Sequence, residues 1–273
     1  MRKLLASLVI GILGLSGTAL AKDVLIIPQG VISLRGVFDG SMQSQFILDL
    51  GKRDLKEDDR ILIAIDSPGG SIAAMEAMLD VMHSYQEVGV EFDCFAVFAA
   101  SAASAFLGHC DNRFVAPSSI LMYHPASFGV RGEEPKIQAM VKFVMKSITK
   151  LEVFNAKTLR MPLSEYRAQV RDELWIPGDE AVGKHAADKV LSVLCAPELF
   201  KSSIGQKIDT KFGQVHVEWS ACPLVPYPLS VNGTSAFVDS PKTKLLLNSL
   251  NMKPQDFLSY LKANQESVWT LDR

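Results

Sequence analysis

Ser101 stands in the run Ala99-Ala100-Ser101-Ala102-Ala103-Ser104, with Ser67-Pro68-Gly69-Gly70 before it and His124 after it. A serine hydroxyl attacks a carbonyl only when a neighbouring base takes its proton. The oxygen that turns negative then needs hydrogen-bond donors. An imidazole suits the first task near neutral pH. Backbone N–H groups in a Pro-Gly-Gly turn suit the second, because glycine lets a carbonyl approach without a Cβ in the way. The order of these parts fits nucleophilic chemistry at a carbonyl. Each part also has a plainer reading. A tight strand-to-helix turn needs the same glycines. A serine before a helix is a common N-cap. A lone histidine at a strand end is often structural. His83, His109, His185 and His216 hold no comparable position.

These groups need elements to position them. Val24 to Ile27 and Ile32 to Val37 read as short strands, and Met42 to Leu50 has helical spacing. Arg60 to Ile65 is a β-branched apolar run of the buried parallel type. Ser71 is placed to cap a helix that carries Met75, Met78, Leu79 and Met82 on one side. Phe92 to Phe98 reads as a second buried strand, and Ala102 to Leu107 as a helix start. Ser101 therefore falls at a sharp strand-to-helix turn, where the Ala102 N–H points to the same reaction centre and a helix N-terminus favours negative charge. Arg113 to Ala116 and Ile120 to Tyr123 read as further strands, the second ending at His124.

Beyond Pro125 the chain turns polar, and Pro135 opens a long helix with Ile137, Met140, Val141, Val144, Met145, Ile148 and Leu151 at helical spacing. Ser164 is expected to cap a helix to Arg171. Asp179 to Ala186 reads as a short amphipathic helix and Lys189 to Leu194 as a strand. Such alternation implies an α/β domain with a largely parallel sheet and flanking helices. From Cys195 the pattern weakens, with Gln214 to Trp219 alternating like a strand and Leu245 to Leu261 helical in spacing. Residues 195–273 are therefore assigned to a C-terminal extension or small subdomain.

Arg2 and Lys3, an apolar stretch from Leu4 to Leu15 and the small-x-small triplet Ala19-Leu20-Ala21 have the form of a cleaved signal peptide covering residues 1–21. The stretch is shorter than the ~20 residues a membrane span needs. A periplasmic or secreted protein is expected, with its main domain over residues 22–194. The net charge of −2, with 21% charged residues and no basic cluster, points away from nucleic acid. The 48% hydrophobic fraction is enough for a substantial core. Cys94, Cys110, Cys195 and Cys222 allow three disulfide connectivities. Cys94–Cys110 is favoured because it flanks a strand–turn–helix unit. Cys195–Cys222 is favoured because it ties the extension to the main domain. Free buried thiols are the alternative.

Taken together, these residues resemble the Clp protease proteolytic subunit family (ClpP), and more closely its phage head-maturation relatives. The resemblance covers roughly residues 30–194. It is carried by the strand Ile61–Gly70 ending in Ser-Pro-Gly-Gly and by Ala99–Ser104. It also rests on Asp111 and Pro117, on Met122-Tyr123-His124-Pro125, and on Asp172 with Trp175 through Glu180-Ala181. The serine-to-histidine separation of the phage-type proteins is that of Ser101 to His124. Signal-peptide peptidase A shares the nucleophile region but uses a lysine base. The resemblance implies a ClpP/crotonase-like fold. It makes Ser101 the nucleophile, His124 the base and then the acid, and Asp172 the residue that orients His124. The Gly69 and Ala102 N–H groups become the oxyanion donors. Ser104, one turn further on, is read as packing. Val97, where relatives carry glycine, is expected to reshape the pocket.

The function so implied is an exported serine endopeptidase acting on polypeptide, without metal or organic cofactor, in a homo-oligomer. An ATPase partner is not expected, because no ATP supply is expected outside the cytoplasmic membrane. Ser127 to Glu134 corresponds to the border of the peptide cleft, where an extended substrate could pair as an added strand. Two other classes remain open. A crotonase-type enzyme would bind CoA thioesters. A non-catalytic binding or scaffold protein would keep the fold and leave Ser101 unreactive.

Overall fold

The computed structural model describes residues 24–54, 59–210, 213–225 and 229–233. The leader at 1–21 and the helix expected at Leu245–Leu261 lie outside them. Strands β1 (Val24–Ile27) and β2 (Ile32–Arg35) come first, then helix α1 (Gly40–Gly51) and strand β3 (Arg60–Ser67). Asp39 caps α1 by accepting the Ser41 and Met42 N–H groups, an arrangement worth about 1 kcal/mol. Helix α2 (Ile72–Glu87) starts at its expected cap, where Ser71 Oγ accepts the Ala74 N–H. Strand β4 (Glu91–Ala100), helix α3 (Ala102–Leu107) and strand β5 (Asn112–Tyr123) follow, then helices α4 (Glu134–Thr158) and α5 (Leu163–Val170). Strands β6 (Leu174–Pro177), β7 (Lys189–Val190) and β8 (Ser192–Cys195) and helix α6 (Pro197–Phe200) lead to the hairpin-like set β9 (Ser203–Thr210), β10 (Gly213–Ser220) and β11 (Ser230–Gly233).

The central sheet runs β2-β3-β4-β5-β6, with β7 beside β5. Its pairings are parallel except β5 with β6. Alternating residues of β3 and β4 divide the molecule. Ile61, Ile63, Ile65, Cys94 and Ala96 face a core with Phe46, Leu50, Met75, Met78, Met82 and Phe106 from α1, α2 and α3. Phe106 meets Phe38 and Phe46 edge to face, at 5.9 and 5.8 Å between centroids. Leu62, Phe95, Val97 and Phe114 face the other way, onto Ile27, Val193, Leu199, Cys222 and Leu224. The extension thus covers the sheet face that the helices leave free.

The disulfides are Cys94–Cys110 and Cys195–Cys222, each with a Cα separation of 5.9 Å. Arg35 adds a polar tie to the extension. Its guanidinium pairs with Asp66 at 3.6 Å, donates to Pro223 O at 3.0 Å and lies 5.1 Å from the Trp219 ring centre. Burial pushes the Asp66 carboxyl up, and Arg35 partly offsets this.

Four local expectations change. Arg113–Ala116 and Ile120–Tyr123 belong to one strand, β5, because Ser119 Oγ donates to Ala96 O at 2.6 Å and accepts the Ala116 N–H at 2.8 Å. That bracket carries the strand across Pro117, where the pairing shifts register between Ala96 and Phe98. Ser164 lies inside α5, which is capped at Pro162. Asp179–Ala186 is a series of turns, folded back by the Ala186 N–H to Ala181 O bond. Lys189–Leu194 divides into β7 and β8, which leave for different sheets, β7 to β5 and β8 to β1.

Candidate active site

The chain presents Ser101 at the end of β4, in the N-cap position of α3. An ordinary cap serine would turn its oxygen to the helix amides. Ser101 instead has φ 57° and ψ −121°, and its side chain makes no capping bond. A non-glycine residue at positive φ carries strain that the surroundings must hold in place. Here Oγ lies 2.7 Å from His124 Nε2. With the ring neutral and its proton on Nδ1, the hydroxyl donates and Nε2 accepts, which is the contact a general base requires. The plainer readings of both residues therefore fail on geometry: the serine does not cap, and the histidine faces the hydroxyl.

Main-chain bonds place the two residues. The β4–β5 ladder runs to Ala100–Met122. Beyond it, the Ser101 N–H donates to Met122 O at 2.8 Å. His124 is the first residue after β5. Its predecessor Tyr123 is buried and meets Tyr166 edge to face, and the Tyr166 hydroxyl accepts from Asn155 of α4 at 3.0 Å.

The glycine turn presses on the same point. Gly69 has φ +88°, and a Cβ there would fall 2.5 Å from Ala100 O, 2.8 Å from Ala102 N and 2.9 Å from Ser101 Cβ. Only glycine fits. The Gly69 N–H, expected as an oxyanion donor, is already engaged: it donates to Ser67 Oγ at 3.0 Å. Gly70 is the better placed amide. It forms a parallel bridge with Phe38, in which the Phe38 N–H donates to Gly69 O and the Ser71 N–H to Phe38 O. In such a bridge the middle residue's own N–H points to the opposite side, which is the β4 side of the sheet. Among the described residues, neither the Gly70 N–H nor the Ala102 N–H has a protein acceptor.

Asp172 is not brought to His124. Its carboxylate pairs with Arg171 at 3.2 Å, and both side chains are more than three-quarters exposed. No hydrogen bond joins it to the imidazole among the described residues. Its backbone is nevertheless close in register. The β5–β6 ladder ends at Tyr123–Leu174, so His124 lies one residue past the last pair and Asp172 two residues past it. Val97 does not shape this site. With Phe95, Ala116, Leu191, Val193 and Leu224 it lines a cavity of about 450 Å³ that includes none of the residues above. No group of three or more His, Cys, Asp or Glu that could hold a metal ion occurs among the described residues.

The sequence reading missed Gly70 and the Ser67 hydroxyl, both inside the motif it had singled out. The only signal was the glycine doublet, which shows that two positions need unusual backbone but not which amide is free.

The sequence profile of the family described as Clp protease matches residues 24–193. The chain is also similar to the ATP-dependent Clp protease proteolytic subunit 2 of Bacillus licheniformis, with 30% identity over 146 residues, or 53% of this chain and 75% of that protein. The matched span holds Ser101, His124 and the glycine turn, and a serine-type hydrolase domain agrees with their geometry. On these grounds the chain belongs to the Clp protease family.

Proposed function

We propose that this protein is an exported serine endopeptidase that cleaves polypeptides through an acyl-enzyme at Ser101. The observation that carries the reading is the 2.7 Å contact between Ser101 Oγ and His124 Nε2, made by a serine withdrawn from its capping role. His124 takes the hydroxyl proton as Oγ attacks the scissile carbonyl. The carbonyl oxygen, now negative, is held by the Gly70 and Ala102 N–H groups, each worth on the order of a few kcal/mol in the transition state. His124 returns the proton to the leaving amine, then activates the water that releases the acyl group.

Asp172 completes the triad after one local change. Its bond to Arg171 is an exposed ion pair, and such pairs are worth about 0–1 kcal/mol. Releasing it to orient the protonated imidazole costs little.

Two disulfides support an oxidising compartment, in keeping with the leader-like start of the chain. Substrate lies extended along Ser127–Glu134, whose residues ahead of α4 have no strand partner among the described residues. The protein works as a homo-oligomer without an ATPase. The first half of α4 supports assembly, because it exposes Met140, Phe143 and Met145, apolar surface that monomers seldom leave bare.

Labelling with a fluorophosphonate tests the reading. The wild type should be modified at Ser101, and Ser101→Ala should abolish labelling while keeping its melting temperature. A folded wild type that stays unlabelled across neutral pH would overturn it.

A further inference from the structure

Ser104 does more than fill space. It lies on α3, one turn beyond Ser101, and is 1% exposed. Its hydroxyl has Ala99 O at 2.6 Å and Met122 O at 2.9 Å as acceptors, and itself accepts the Met122 N–H at 3.3 Å. Ala99 belongs to the strand that delivers the nucleophile. Met122 belongs to the strand that delivers the base, two residues before His124. Met122 O also takes the Ser101 N–H. One side chain on the first turn of the helix thus contacts both strand ends. The one hydroxyl proton serves Ala99 O or Met122 O at a time, while an oxygen lone pair takes the Met122 N–H; an alanine, smaller by the hydroxyl, could do neither.

We propose that Ser104 is a positioning residue, a hydroxyl clamp that sets the distance between Ser101 Oγ and His124 Nε2. The proposal rests on the peptidase reading and adds a residue to it. Ser104 does not touch substrate. It acts through Met122, by holding the N–H and C=O from which the His124 segment departs. Attack on a carbonyl is sensitive to such placement, and a displacement of about 1 Å can cost on the order of a hundredfold in rate.

The saturation kinetics of fluorophosphonate labelling separate binding from reaction at Ser101. In Ser104→Ala the maximal labelling rate should fall about tenfold to a hundredfold, with the half-saturating concentration within about twofold of wild type and the circular dichroism spectrum retained. Ser104→Cys keeps the size but offers a weak S–H donor, and should fall between the two. A general loss of packing would not leave probe binding intact while slowing the chemistry in that order. Wild-type rates in folded Ser104→Ala would overturn the clamp and leave the peptidase standing. Should Ser104→Ala fail to fold, Ser104→Cys decides: a reduced maximal rate at unchanged half-saturation supports the clamp, and a wild-type rate overturns it. A folded wild type that is never labelled at Ser101 overturns the peptidase reading and the clamp together.

Discussion

At the scale of single residues, the Ser101–His124 pair depends on a backbone that only particular side chains tolerate. Ser101 sits at positive φ, and Gly69 packs so closely against Ala102 that no Cβ fits. Asp172 is the residue whose role is most open to test. Its side chain is 79% exposed, so Asp172→Asn should leave the unfolding free energy within about 0.5 kcal/mol of wild type. Turnover of an unstructured polypeptide should nevertheless drop by roughly 10⁴-fold, the loss that follows removal of an orienting carboxylate in other serine hydrolases. Full turnover in that variant would mean that the Ser101–His124 pair works as a dyad.

Between elements, covalent and polar ties compensate for segments with few contacts of their own. Cys195 ends β8 and Cys222 follows β10, and their bond closes a loop with a sequence separation of 27. A closed loop of this size restricts the unfolded chain by roughly 3–4 kcal/mol. Replacing both cysteines with serine should lower stability by about that amount in denaturant unfolding. Limited proteolysis of the variant should cut first after Cys195, where the extension leaves the sheet. An unchanged proteolytic pattern would assign the anchoring to Arg35 and the apolar contacts of Leu199 and Leu224 alone.

For the molecule as a whole, stability should depend on pH through the junction of α2, α3 and α4. His83 Nε2 lies 3.2 Å from His109 Nδ1, and the His109 ring stacks on Phe154 with centroids 3.7 Å apart. Burial, reinforced by His83, lowers the His109 pKa from 6.5 to about 4. The unfolded chain therefore binds a proton at a pH where the folded one does not, and stability rises with pH across that interval. On acidification it is lost from about pH 6.5 down to about pH 4. His109→Phe keeps a ring on Phe154 and removes the proton site. A plot of melting temperature against pH should be flatter for this variant between those limits. Equal slopes in the two proteins would place the acid sensitivity of that interval elsewhere. Asp188 acts only below it. Burial raises that carboxyl, but its bonds to Arg113 outweigh the effect and hold it below the usual range. Its stabilisation is therefore present above the ordinary carboxylate range and lost as pH falls through the lowered value.

Much of this architecture was legible in the amino-acid order. Buried parallel strands declare themselves as apolar runs, so β3 and β4 were found, and the amphipathic spacing and serine cap of α2 marked that helix. The type and order of Ser101, His124 and the glycine turn pointed to the chemistry proposed above, because few side chains can do it. Elements whose form depends on distant partners were not legible. The short strand β6 exists because β5 offers it an edge. The continuity of β5 past Pro117 depends on the bonds of one serine. Likewise, whether an amide is free or spent is decided by its neighbours in space. Only the folded chain showed that Ser67 takes the Gly69 N–H, that Ser104 spans two strands, and that Asp172 turns to Arg171. Local pattern records what a segment prefers, and hydrogen-bond partners are chosen by the whole fold.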